Sequence, residues 1–237
     1  KRCGLHALCG AVNAGLDDCE VRDKLKNKYF ADRVNRVSYS PFNEYFILQA
    51  MSKIGSYDAA ISSILDLWGG QIKYGGTTFF ETFRPDWANV LGTNDPVPNN
   101  QAGYTSLAHP WSAGVLAWLS EEILGIKAEK AGFKTFTVTP HLGRQLNRVS
   151  GEMPTPYGTI SASFDMKTGH HVVMVPSGTT ATVGVPKAGR TIIHIKQNGR
   201  LASASHEDQD FIYFTFLTAG EYRFDVLYEG EKRGYIP

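Results

Sequence analysis

Residues 111–138 read WSAGVLAWLSEEILGIKAEKAGFKTFTV, and the hydrophobic period changes inside them. From about Trp111 to Leu124 the spacing is helical, and a glycine, Gly125, stops it. Beyond it, Phe133-Lys134-Thr135-Phe136-Thr137-Val138 alternates between ring or β-branched residues and polar ones, the period of a strand. The switch predicts a helical part at residues 1–126 and a β part at 127–237, with the boundary near Gly125 to Gly132.

Upstream, the same helical spacing recurs. Leu5, Leu8 and Val12 form one stripe that ends at Gly15, and Asp17-Asp18 can cap a second helix carrying Val21, Leu25 and Tyr29. Ser40-Pro41 is a cap followed by proline at the first helical position, and it predicts a third helix burying Phe42, Tyr45 and Phe46 and stopping at Gly55. Ser56 caps a fourth, with Ala60, Ile61, Ile64, Leu65 and Trp68 on one face and Gly69-Gly70 expected to end it. Helices of this length joined by short links are antiparallel neighbours, so the expectation is a stack of αα-hairpins open on one side. Lys1 stands first and no cap precedes the stripe at Leu5, which reads as a start within a longer chain.

Downstream, 159–164, 170–175, 181–185, 191–195, 211–217 and 222–228 add further short strands, and Asn198-Gly199 is a tight hairpin signal. Seven or eight such strands predict an antiparallel β-sandwich.

Composition narrows the function. Of 237 residues 42% are hydrophobic and 20% charged, with a formal net charge of +1, which suits a globular protein with a core. Neither part has the concentrated basic patch of a nucleic-acid partner, and no apolar run is long enough to span a membrane. Cys3, Cys9 and Cys19 fit neither a disulfide framework nor zinc spacing and read as buried or incidental thiols. His170-His171 lies on a predicted strand that points the two rings to opposite faces, so no shared metal site is expected.

The segment between Trp68 and Trp111 has no clear period, and long connections of that kind are commonly functional. It carries Tyr74, Phe79, Phe80, Phe83, Trp87 and Tyr104 beside Glu81, Arg84, Asp86, Asp95 and His109. Rings with a few polar groups line sugar pockets, yet they also plug helical arrays, and the residues alone leave both readings open. Glu81, set among Thr77-Thr78-Phe79-Phe80 and Thr82-Phe83, is either desolvated or held by specific partners, both suited to acid/base work, or a solvated rim carboxylate. Asp86 and Asp95 read as turn formers. His109 either meets a substrate hydroxyl or satisfies a backbone carbonyl.

Four motifs in order, residues 40–45 (SPFNEY), 68–70 (WGG), 75–83 (GGTTFFETF) and 106–114 (SLAHPWSAG), resemble the C-terminal part of the α-L-rhamnosidases of glycoside hydrolase family 78. Val138-Thr139-Pro140 and Thr155-Pro156-Tyr157-Gly158 resemble the sandwich that follows the catalytic barrel there, so the likeness runs to about Pro186. It implies part of an (α/α)6 barrel followed by a β-sandwich, and removal of terminal α-L-rhamnose with inversion. Glu81 then takes the place of the general base and His109 that of a sugar contact, with Trp87 or Trp111 shaping the pocket. The implied partners are a rhamnose-containing carbohydrate and an N-terminal part of the same enzyme that supplies the general acid. No metal or other cofactor is implied. Two departures, Gly75-Gly76 for Gly-Ala and Pro110 for Gly, leave the carboxylate untouched. A non-catalytic carbohydrate-binding or structural module, and an α/α-toroid hydrolase or lyase acting on another sugar, remain the alternatives.

Overall fold

In the computed structural model, which describes residues 4–38, 40–84 and 105–230, the chain forms two units, Lys1–Trp118 and Leu119–Pro237. The first is helical. Helix α1 is Leu5–Asn13, α2 is Cys19–Lys24 running on into a π turn at Leu25–Phe30, and α3 is the short Arg33–Arg36. Pro41–Lys53 forms α4, Tyr57–Lys73 forms α5, and a 3-10 turn at Pro110–Ala113 leads into α6, Gly114–Trp118.

The caps expected from sequence are in place: Asp18 accepts the Val21 N–H at 2.9 Å, and Ser40 and Pro41 stand at the cap and first positions of α4. Three helices end on one device, in which a glycine of positive φ (Gly15, Gly55, Gly75) follows the last turn. After α5, for example, the Gly75 N–H donates to Ile72 and the Gly76 N–H to Gln71, closing the orphan carbonyls in a Schellman motif. Helix α1 packs on α4, and α4 on α5.

Several sequence expectations are corrected here. Helix α5 does not stop at Gly69-Gly70 but continues to Lys73, and at Gly70 a Cβ would fall 2.5 Å from the Phe83 ring. The glycine serves close approach rather than termination. Helix α4 buries Glu44, Ile47, Leu48, Ala50 and Met51, whereas Phe42 (39% exposed) and Phe46 (44%) stand outside, and Leu65 of α5 is likewise exposed. In the second helix the π turn adds a residue to the repeat, so that Phe30 rather than Tyr29 follows Leu25 into the core.

The second unit opens with a π turn at Leu119–Ile123 and has eleven strands among its described residues. These are β1 (Ile126–Ala128), β2 (Thr135–Val138), β3 (Arg148–Thr155), β4 (Gly158–Asp165), β5 (His170–Val175) and β6 (Thr180–Pro186). Then come β7 (Ile192–Gln197), β8 (Arg200–Leu201), β9 (His206–Glu207), β10 (Phe211–Leu217) and β11 (Gly220–Tyr228). One sheet has the order β1-β2-β6-β10-β9 and the other β3-β4-β5-β11-β7-β8. Alternate residues of both, such as Phe136, Val183 and Phe214 against Phe164, Val173 and Phe224, form a single core, as a two-layer sandwich requires. Pairing is antiparallel except where β2 meets β6 in parallel, a departure from the all-antiparallel expectation. Asn198 and Gly199, both at positive φ, make the hairpin between β7 and β8. The sequence pattern does not announce strand β3: it is a sheet edge, where Pro154 is tolerated because that side of the ladder has no partner strand among the described residues.

Candidate functional site

The site residues sit on the segment after α5. Gly70 and Gly76 leave room for the Phe83 and Phe80 rings, and with Tyr74 these rings form a buried triangle whose centroids lie 5.9–6.3 Å apart. Phe80 and Phe83 thus anchor the segment from inside. Glu81, next to Phe80, is left half-buried.

A second segment, leading into α6, pairs with the first in antiparallel sense. The Glu81 N–H donates to the Ser106 carbonyl at 2.9 Å, and the His109 N–H donates to the Phe79 carbonyl at 2.7 Å. The Thr78 hydroxyl donates to the Leu107 carbonyl, and the hydroxyls of Thr82 and Thr105 meet at 3.3 Å. Within this ladder the Ser106 N–H donates to Glu81 Oε2 at 3.1 Å, so the carboxylate is held by a specific backbone donor rather than left loose on a rim. The Phe80 backbone is satisfied by side chains: its N–H donates to Gln71 Oε1 at 3.1 Å, and its carbonyl accepts the Ser112 hydroxyl at 2.6 Å.

The His109 ring lies 4.3 Å from that of Trp111, which is 46% exposed and stacks on Phe42 at 5.2 Å. Phe46 continues the row edge-on to Phe42 at 5.3 Å. Glu81, His109 and Trp111 therefore belong to one paired structure. Trp87, like Asp86, Asp95 and Tyr104, lies outside the described residues. Sequence reasoning missed Gln71 and Ser112. The signal for Gln71 was there, since it falls three and four residues after Trp68 and Leu67 on the apolar stripe of α5, where a polar residue needs a partner.

Glu44 is a separate matter. It is fully buried, its Oε2 accepts the Ser38 N–H at 2.7 Å, and its Oε1 has no hydrogen bond among the described residues. Burial pushes its carboxyl up to about 8, with the Ser38 N–H and the Arg36 charge opposing only in part. Arg36 is already engaged by Asp66 at 2.5 Å. The Cys9 thiol is buried and pushed up to about 12 by that burial, so it is an inert thiol at neutral pH.

In the sandwich, His171 is buried and His170 exposed, as the strand alternation requires. Burial lowers His171 to about 4. The Asp165 N–H donates to its Nδ1 at 3.3 Å, which leaves the proton on Nε2, facing the Tyr228 hydroxyl at 3.4 Å; that hydroxyl donates to the Pro186 carbonyl at 2.9 Å. In an outer-face groove of about 680 Å³ beside His170, the polar side chains contact one another, His170 Nδ1 with Asp225 and Arg223 with Glu221. Among the described residues no three His, Cys, Asp or Glu side chains gather as a metal site would require, and no helix is long and apolar enough to cross a membrane.

A helical unit bearing a held carboxylate, followed by a two-sheet sandwich, defines a two-part α and β protein whose polar site is on the helical part. Comparison with known proteins narrows that class. Residues 125–200 match the bacterial alpha-L-rhamnosidase C-terminal domain family. An alpha-L-rhamnosidase of Alteromonas sp. (strain LOR) is 28% identical over 180 residues, 75% of this chain and 18% of that protein. Among solved structures, the alpha-L-rhamnosidase from Dictyoglomus thermophilum superposes with a TM-score of 0.76 at 17% identity, covering 94% of this chain and 25% of that one. The Streptomyces avermitilis alpha-L-rhamnosidase, solved in complex with L-rhamnose, gives 0.71 at 20% identity, covering 94% of this chain and 21% of its own. The chain is thus similar to alpha-L-rhamnosidases in sequence and in fold, and it spans about a fifth to a quarter of the length of these relatives.

Proposed function

We propose that this chain forms part of an inverting α-L-rhamnosidase and supplies the general-base half of its site. The helical unit is then part of an (α/α)6 barrel, and the substrate a glycoside or polysaccharide ending in α-L-rhamnose. Glu81 removes a proton from the attacking water, His109 orients the sugar through a hydroxyl, and the exposed face of Trp111, with Trp87, shapes the pocket. Inversion requires a second carboxyl group about 6.5–9.5 Å from the base, far enough to seat the water between base and sugar. That general acid comes from a part of the enzyme outside these 237 residues.

The observation that carries the reading is the antiparallel ladder between residues 79–81 and 106–109, which sets a half-buried carboxylate and a histidine on neighbouring segments. A base must be held yet reachable. Glu81 meets both conditions, because one oxygen accepts the Ser106 N–H and the side chain keeps partial exposure. Glu44 meets only the first, being sealed from solvent.

The test is Glu81→Gln in the enzyme that carries this chain, assayed on an aryl α-L-rhamnoside. Turnover falls by about a hundredfold or more, in line with the loss of general-base help, while the far-UV CD spectrum is unchanged. Unaltered turnover removes Glu81 from the reaction. Proton NMR of the first-formed anomer tests inversion, and retained rhamnose binding that ignores both Glu81 and His109 favours a non-catalytic module.

A further inference from the structure

We infer that Gln71 and Ser112 are positioning residues for Glu81: together they fix the Phe80 backbone from both sides and so set where the carboxylate stands. The inference rests on the general-base reading of Glu81. The Phe80 carbonyl belongs to the peptide that links Phe80 to Glu81, so the Ser112 hydroxyl, at 2.6 Å, holds the plane from which the Glu81 side chain departs. On the other side of the same residue, Gln71 Oε1 holds the Phe80 N–H. Both holding side chains are buried, Ser112 completely.

Ser112 is itself locked. Its carbonyl accepts the indole N–H of Trp68 at 3.1 Å, and its own N–H donates to the His109 carbonyl at 3.1 Å. One residue therefore ties the backbone of Glu81 to that of His109. Such a link fixes the distance between base and sugar contact, which a loop on its own would leave free. Gln71 adds the second constraint from α5, and it can do so because the Schellman turn after Lys73 folds the segment back over that helix. The geometry also explains why Gly76 has no side chain, since a Cβ there would meet Phe80 at 2.7 Å and push the clamped residue outward.

The experiment compares Ser112→Ala, Ser112→Thr and Gln71→Met with Glu81→Gln in the enzyme carrying this chain, using an aryl α-L-rhamnoside. Ser112→Ala and Gln71→Met lower kcat roughly tenfold to a hundredfold with KM within about twofold, the signature of a displaced catalytic group. Ser112→Thr, which keeps the hydroxyl, restores at least half of the loss. In the Glu81→Gln background the same substitutions lower the residual rate no further, because the group they position is gone. A purely structural role would lower it in both backgrounds, and that result overturns the inference. So does wild-type kcat in both single variants, and so does loss of the CD melting transition in both. If Glu81→Gln alone leaves turnover intact, the general-base reading itself fails, an outcome distinct from these.

Discussion

Replacing Gly70 by alanine tests why α5 carries two glycines in its last turns. Alanine in a helix interior is ordinarily worth about 0.5–1 kcal/mol over glycine. At Gly69 the new methyl would lie 3.8 Å from the Ile64 carbonyl, an ordinary contact, so Gly69→Ala gains most of that increment. At Gly70 it would lie 2.5 Å from Phe83 Cε1 and 3.1 Å from Cζ, inside the contact distance of a ring that is itself packed against Tyr74 and Phe80. Overpacking of this kind costs about 1–3 kcal/mol. The helix-propensity gain is common to both variants and cancels in their difference, which leaves Gly70→Ala less stable than Gly69→Ala by about 1–3 kcal/mol. With a urea slope of about 1–3 kcal/mol per molar, that separates the unfolding midpoints by roughly 1 M, readily measured by CD. Equal midpoints would refute the account, since Phe83 would then not be seated on the helix and the diglycine would need another explanation.

His171 and Glu44 contribute to stability with opposite pH dependence. His171 binds its proton at about 4 when folded and near 6.5 when unfolded, so the unfolded chain holds more protons between these values and the sandwich loses stability as pH falls through them. At 1.36 kcal/mol per pH unit the loss is about 3 kcal/mol, and His171→Asn, whose amide oxygen can still accept the Asp165 N–H without titrating, flattens the slope of urea midpoint against pH. Glu44 is the reverse case: its carboxyl is raised to about 8 against 4.5, so the folded helical unit holds a proton that the unfolded chain releases, and stability falls as pH rises between the two. Glu44→Gln, an isostere of the protonated form, removes that fall and is more stable than wild type by several kcal/mol at most at pH 9; an unchanged pH slope would count against it. Gly125→Ala destabilises the sandwich by about 2–4 kcal/mol in thermal or urea unfolding, because φ is +83° and a Cβ would sit 2.3 Å from the Thr139 carbonyl carbon, a backbone atom that cannot swing aside.

Much of this architecture could be read from the chain because it rests on period and punctuation. The starts of α4 and α5, the glycine ends of α1 and α4, and most of the sandwich strands follow from 3.6- and 2-residue repeats bounded by Ser, Pro, Asn and Gly. The misreadings share a cause, which is that one residue type serves two physical purposes. A glycine that permits close approach looks like a glycine that ends a helix, hence the early stop assigned to α5. Helix α4 has two apolar stripes, Phe42 with Phe46 and Ile47 with Leu48 and Met51, and spacing alone does not say which faces inward. Strand β3 was hidden by Gly151 and Pro154, of which the glycine accommodates Leu124 at a would-be Cβ distance of 2.9 Å. Glu81 stood out because it is the single carboxylate of its aromatic run, whereas Ser112 looked like one more small residue until its hydroxyl was seen on the Phe80 carbonyl.

The aromatic-rich stretch had two readings from its composition, a plug that fills the helical part or a pocket wall that meets a sugar. Burial separates its rings into two groups. Tyr74, Phe80 and Phe83 are buried against α5 and against one another, and they are the plug. Trp111, with Phe42 stacked on it and the His109 ring beside it, stays open to solvent, and in the proposed reaction it is the wall. Phe80 is buried while Glu81 beside it stays half-buried, and any change that frees the Phe80 ring should also free the carboxylate. A base presented in this way owes its position to apolar packing one residue away, which ties the stability of the plug to the chemistry assigned to Glu81.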